Sequence, residues 1–175
     1  IYATGWFSGV RIEPVNGPLG VRLIVKVQPN PLLTKVEIQS KDFRIPEKVI
    51  NKTFRKDYGR TLNLNKLKLR IKNLQDWLVK EGYSLARVSG PNRVDEKGIV
   101  RLKVTPGTVS GVEVRFLNKD GENADEKGKL IKGKTKEWVI KREISVKPGE
   151  TFNRNQLEAD IKRLYGTSLF SDVKV

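Results

Sequence analysis

The sequence predicts an α+β protein made of small tandem modules. Each module runs β-α-α-β-β and folds as a three-stranded mixed sheet with two helices on one face. Three observations predict this: segments recur along the chain, strand-type and helix-type patterns follow in a fixed order, and short Pro/Gly junctions separate the repeats.

The recurrence is specific. Residues 2–12 align without gaps on 165–175, where Tyr2, Thr4, Phe7, Ser8 and Val10 meet Tyr165, Thr167, Phe170, Ser171 and Val173. Residues 59–67 align on 149–157, and Ile71, Lys72 and Leu74 continue the match as Ile161, Lys162 and Leu164. A third match joins 25–29 to 102–106, each followed by a Val-Glu-[Ile/Val] strand at Val36 and Val112. These matches use Tyr, Phe, Gly and Pro, so shared lysine bias does not explain them.

The middle unit can be read from end to end. Alternating β-branched and charged residues over 34–39 predict a strand. Pro46 suits the first turn of a helix reaching about Lys56, stopped before Gly59. Leu64, Leu67, Ile71, Leu74 and Leu78 recur at three- and four-residue spacing, which predicts an amphipathic helix over 64–80 with Lys68 and Lys72 on its outer surface. Asn63 can cap its start and Gly82 its end. Strands over 84–90 and 99–104 follow, joined by a polar turn with Pro91, Asn92, Asp95 and Gly98. Both helices can then cover one sheet face around a single small core.

On this template residues 1–30 are the C-terminal part of a first module, with strands near Val10 and over 21–27. Residues 31–106 are a complete module, and 107–175 a module lacking its last strand. The junctions are a residue or two long, which predicts semi-rigid coupling.

Composition removes whole classes of chemistry. Among 175 residues there is no His and no Cys, so the usual nucleophile–base pairs and zinc, copper or iron–sulfur ligand sets are missing. No catalytic, cofactor or metal site is expected, and the chain is read as not an enzyme. No apolar run approaches the ~20 residues of a membrane-spanning helix. A formal charge of +15 favours anionic partners without choosing among them.

Two local patterns point elsewhere and are set aside. Gly128, Gly133, Lys134 and Thr135 satisfy the P-loop spacing, but a polar loop precedes them where a buried strand is required. Asp120, Glu122, Asp125 and Glu126 lack the alternation and closing Glu of a calcium loop. A basic nucleic-acid-binding α/β module is the alternative reading, with Lys66, Lys68, Arg70, Lys72 and Lys80 tracking phosphates. Against it, Trp6, Trp77 and Trp138 are too dispersed for a stacking platform and are expected in cores.

Residues Tyr165, Phe170 and Val173, with Gly82, Tyr83, Ala86 and Val88, give the chain its resemblance to POTRA domains of the outer-membrane β-barrel assembly and translocation superfamily. The long loop 118–134 is similar to the cyanobacterial or chloroplast-type branch. The resemblance implies a receptor or chaperone-like region on the periplasmic side of the outer membrane, or at the equivalent organellar envelope. Implied partners are unfolded outer-membrane protein precursors, a C-terminal membrane barrel in the same parent chain, and accessory subunits or anionic lipid head groups.

An edge strand offers main-chain N–H and C=O groups to an extended client. The resemblance places that edge on the second strand of each module: Leu85, Ala86, Arg87, Val88 and Ser89, and Val10, Arg11 and Ile12. The expectation is a bare edge. Arg87 and Arg11 can equally guard it against aggregation.

Overall fold

The structure, a computed structural model, describes residues 1–41 and 43–175. It divides into two compact units: one holds residues 1–79 and 86–106, the other 80–85 and 107–175.

The first unit opens with a 3-10 turn at Tyr2–Thr4 and a long hairpin of β1 (Phe7–Gly17) and β2 (Gly20–Pro29). Both strands run further than expected. Their antiparallel register pairs Val10 with Val27, Ile12 with Val25 and Pro14 with Leu23, so apolar residues share one face. Pro14 is tolerated because, among the described residues, β1 has a strand neighbour on one side only.

The rest of this unit is β3 (Lys35–Gln39), α1 (Glu47–Phe54), α2 (Leu64–Lys80), β4 (Arg87–Ser89) and β5 (Ile99–Thr105). The sheet order is β3-β5-β4, with β3 parallel to β5 and β4 antiparallel to it. This is the mixed three-stranded sheet that the sequence predicts. Val100, Leu102 and Val104 are buried while Arg101, Lys103 and Thr105 are exposed. Leu67, Leu74 and Leu78 of α2, with Ile50 and Phe54 of α1, complete the core. Leu102 is 0% exposed, and its repeat partner Val25 in the hairpin is 44% exposed.

The second unit contains α3 (Glu137–Lys141) and α4 (Arg154–Gly166). Asn153 caps α4 through bonds from the amides of Asn155 and Gln156. Residues 112–117, expected to be a strand, make no ladder. The reason lies in the sheet order. The first strand of a module pairs with its last, and no described segment of 107–175 takes that central place.

Candidate binding edge

α2 positions the candidate edge. Asn63 accepts from the amides of Asn65 and Lys66 at 2.9 and 3.1 Å, satisfying the first turn. The same side chain donates to Thr4 O at 2.9 Å, and the Leu64 amide donates to Gly5 O at 2.8 Å. Asn30 adds bonds to Gly5 O and Leu62 O at 2.9 and 3.0 Å. The hairpin end is thereby fixed to the start of α2.

From α2 the chain returns as β4, which among the described residues has β5 as its one strand neighbour. Arg87, Val88 and Ser89 face Thr105, Val104 and Lys103 across the pair. Leu85 and Ala86, expected in this strand, lie ahead of it. Ala86 is buried, and Leu85 packs against Gly107, where a Cβ would collide with it. That packing takes Leu85 out of the sheet and shortens the strand.

The edge is also not bare. Gln75 Nε2 donates to Ala86 O at 2.6 Å, and Gln75 Oε1 accepts from the Val88 amide at 3.0 Å. One side-chain carboxamide therefore holds the acceptor and the donor flanking Arg87, the two groups that an added strand would use. Sequence reasoning missed Gln75. Its place beside Leu74 and Leu78, at the border of the apolar stripe, was the available signal.

Val10, Arg11 and Ile12 lie on β1. Register and repeat together make Val10 the counterpart of Val88: Val10 pairs with Val27, Val88 pairs with Val104, and Val27 aligns with Val104. Val10 is half-buried, while Arg11 and Ile12 are exposed.

The sheet face opposite the helices is charged. Lys35 meets Glu37 at 2.9 Å, and Arg101 meets Glu37 at 3.3 Å and Asp95 at 3.1 Å. Glu37 is held below its usual range chiefly by the Lys35 hydrogen bond, with Arg101 adding to it. Asp95 is lowered chiefly by the Ile99 amide, and then by Arg101.

The tryptophans correct another expectation. Trp6 and Trp138 are exposed, under Lys66 and Arg142 at 5.3 and 5.6 Å from their ring centres. Their amphipathic rings are covered by cationic side chains rather than by a core. The P-loop-like segment starts from a closed turn over 125–129: Asp125 Oδ1 accepts from the amides of Lys127 and Lys129, and Asp125 O from that of Gly128.

In the second unit, residues 108–121 and 169–175 line a groove of about 810 Å³, floored by Ile140, Val146, Leu157 and Leu164. By the repeat, its two walls correspond to β3 and β4.

Across its whole length the chain superposes on a solved structure, POTRA1-3 of the periplasmic domain of Omp85 from Anabaena. The TM-score is 0.87 at 43% identity, covering 99% of this chain and 69% of the other. The chain belongs to the POTRA domains of the Omp85 family. A second relative is the N-terminal domain of Omp85 from Thermosynechococcus elongatus, with TM-score 0.78, 38% identity and coverage of 99% and 71%. The family described as "POTRA domain, ShlB-type" matches residues 32–107, and the POTRA family described as "Surface antigen variable number repeat" matches 130–175. Outer envelope protein 80, chloroplastic, of Arabidopsis thaliana is 26% identical over all of this chain. The POTRA segment spans 23% of that relative's length. These relatives are cyanobacterial and chloroplastic, the branch suggested by loop 118–134.

Proposed function

We propose that these POTRA modules receive unfolded outer-membrane barrel precursors, or partner subunits, by pairing an extended client segment with the second strand of a module. The observation that carries this reading is the sheet order β3-β5-β4. It leaves Arg87–Ser89 at the rim, with a strand on one side only. A main-chain ladder suits a receptor of many clients because backbone groups are common to all of them. Val10, Arg11 and Ile12 offer the equivalent rim on β1. The family supports a position on the periplasmic face of an outer membrane, or at an organellar envelope, ahead of a membrane barrel in the same parent chain. Exposed cations on the open sheet face suit accessory subunits or anionic head groups.

We also read 1–30, 31–106 and 107–175 as successive modules.

A photo-crosslinking residue at Arg87, Ser89 or Ile12 tests the edge with an unfolded barrel-strand peptide. Crosslinks from these rim positions are expected, together with a loss of binding in Val88→Pro at a temperature where that variant, which lacks the Gln75 bond, is still folded. Crosslinks confined to loops, or full binding by Val88→Pro, would reject the reading.

A further inference from the structure

One helix position reaches the second-strand segment of the repeat in both units, with a different side chain in each. That segment is β4 in the first unit and residues 169–175, which form no strand, in the second. Gln75 and Tyr165 stand equally far from the capping residues Asn63 and Asn153, in segments that the internal repeat aligns. Val88 and Val173 are likewise equivalent, since Val173 aligns with Val10 and Val10 is the counterpart of Val88. In the first unit Gln75 holds the Val88 amide at 3.0 Å and Ala86 O at 2.6 Å. In the second, Tyr165 Oη accepts from the Val173 amide at 3.0 Å and donates to Asp172 Oδ1 at 2.7 Å, and the same amide also donates to Asp172 Oδ1 at 2.9 Å. Two chemically unrelated side chains therefore arrive at the same main-chain donor.

Packing does not require this, because an amide at a sheet rim can be satisfied by water. What both bonds accomplish is occupancy of the group with which an incoming strand would pair.

We infer that this helix position carries a displaceable latch, Gln75 in one module and Tyr165 in the next, which an extended polypeptide backbone must replace in order to pair with the edge. The inference rests on the edge-pairing function proposed above and names the residues that set access to it. A client gains the bonds that it makes and forfeits those that it displaces, so the first pairs formed yield little net affinity. Selectivity then shifts to clients with enough further pairs or side-chain contacts. An unoccupied edge would also accept other copies of the chain, which the latch discourages. Gln75 holds a donor and an acceptor, Tyr165 a donor only, so the edge of 31–106 is the more firmly closed.

The test uses the full chain with Gln75→Ala and, separately, Tyr165→Phe, which keeps the ring. Amide hydrogen exchange is read first, without any partner. Val88 should exchange about tenfold faster in the first variant, and Val173 about threefold faster in the second, where Asp172 still accepts from it, each leaving the other site unchanged. Titration with a peptide of alternating apolar and polar residues follows. Affinity should rise about fivefold in Gln75→Ala and less in Tyr165→Phe. Should Gln75→Ala lower the melting temperature, Gln75→Met restores the aliphatic stem without the carboxamide and is read in its place.

Unprotected Val88 and Val173 amides in the unaltered chain would overturn the latch. So would lost protection with unchanged peptide affinity, in which case edge pairing itself survives. Absence of peptide binding in the chain and in both variants would remove both ideas together.

Discussion

Asp160 is 1% exposed, on the apolar side of α4 between Leu157 and Leu164. Its carboxylate is fully used: Oδ2 accepts from the amides of Ser145 and Val146 at 2.9 and 3.1 Å, and Oδ1 from the Ser145 hydroxyl at 2.6 Å and from Arg163. The aligned residue in the other unit is Arg70, which pairs with Asp57 at 2.6 Å. One helix position thus ties the second helix to the turn before it, with the charge reversed between repeats. Asp160→Ala leaves two amides and a guanidinium without their acceptor, and should cost the second unit about 3 kcal/mol in denaturant unfolding. Asp160→Asn, which can still accept, should cost less. Neither tie was read from the sequence, because charged residues on lysine-rich helices resemble a solvated surface. A carboxylate interrupting the leucine stripe was the legible clue. Asp172 gives a pH-dependent check on its neighbour. The Tyr165 hydroxyl is the chief cause holding its carboxyl below the usual range, with Lys174 and the Val173 amide adding to it. A lowered folded-state value contributes stability above the ordinary aspartate range and loses it as pH falls through the lowered value. Tyr165→Phe should move the Asp172 titration upward in a carboxyl NMR experiment; an unmoved midpoint would show that the hydroxyl is not its partner.

At the scale of elements, helices were more legible than strands. Asn63 and Asn153 cap their helices as local sequence demands, and each also reaches a preceding turn: Asn63 to Thr4 O, and Asn153 to Glu81 O at 3.0 Å. In both, the next residue's amide donates to a left-handed glycine, Leu64 to Gly5 and Arg154 to Gly82, at 2.8 Å. A side chain at Gly82 would collide with Asn153, so glycine serves close approach as well as φ. Asn63→Ala should cost 1–2 kcal/mol (about the upper range for a cap) because a part-buried bond to Thr4 is lost with it. Asn63→Asp, which caps but cannot donate, should recover only part of that in thermal unfolding, and full recovery would show that the Thr4 bond is inert. Strands depend on partners far along the chain, and that is where reading failed. Residues 84–90 shortened to Arg87–Ser89 because packing of Leu85 and capture by Gln75 use the flanking positions. Residues 112–117 carry strand-type alternation yet form no ladder without a central neighbour. The hairpin outran its expectation because each residue added to one strand is paired at once by the other.

For the molecule as a whole, repetition made the architecture legible, while charge was the misleading signal. Three aligned segments gave the order of elements within the repeat, whereas the rim strands rested on the family resemblance. The net charge of +15 made nucleic acid the main competing partner, and exposed Trp6 and Trp138 remove one of the objections to it. The two readings separate on ionic strength. A phosphate-tracking surface releases counterions, and with 6–10 phosphate contacts loses about 10³–10⁵ in affinity between 50 and 200 mM salt. A main-chain ladder to an extended peptide forms short-range bonds between neutral groups, so screening reaches it only through steering by the surrounding lysines. Binding of an uncharged alternating peptide should therefore weaken less than about tenfold over that salt range. An acidic version of the peptide should bind faster at low salt and converge on the neutral one at high salt, since charge changes encounter more than residence. Titrations at the two salt concentrations decide the matter: a steep loss for the neutral peptide would mean that charge, not the edge, carries recognition.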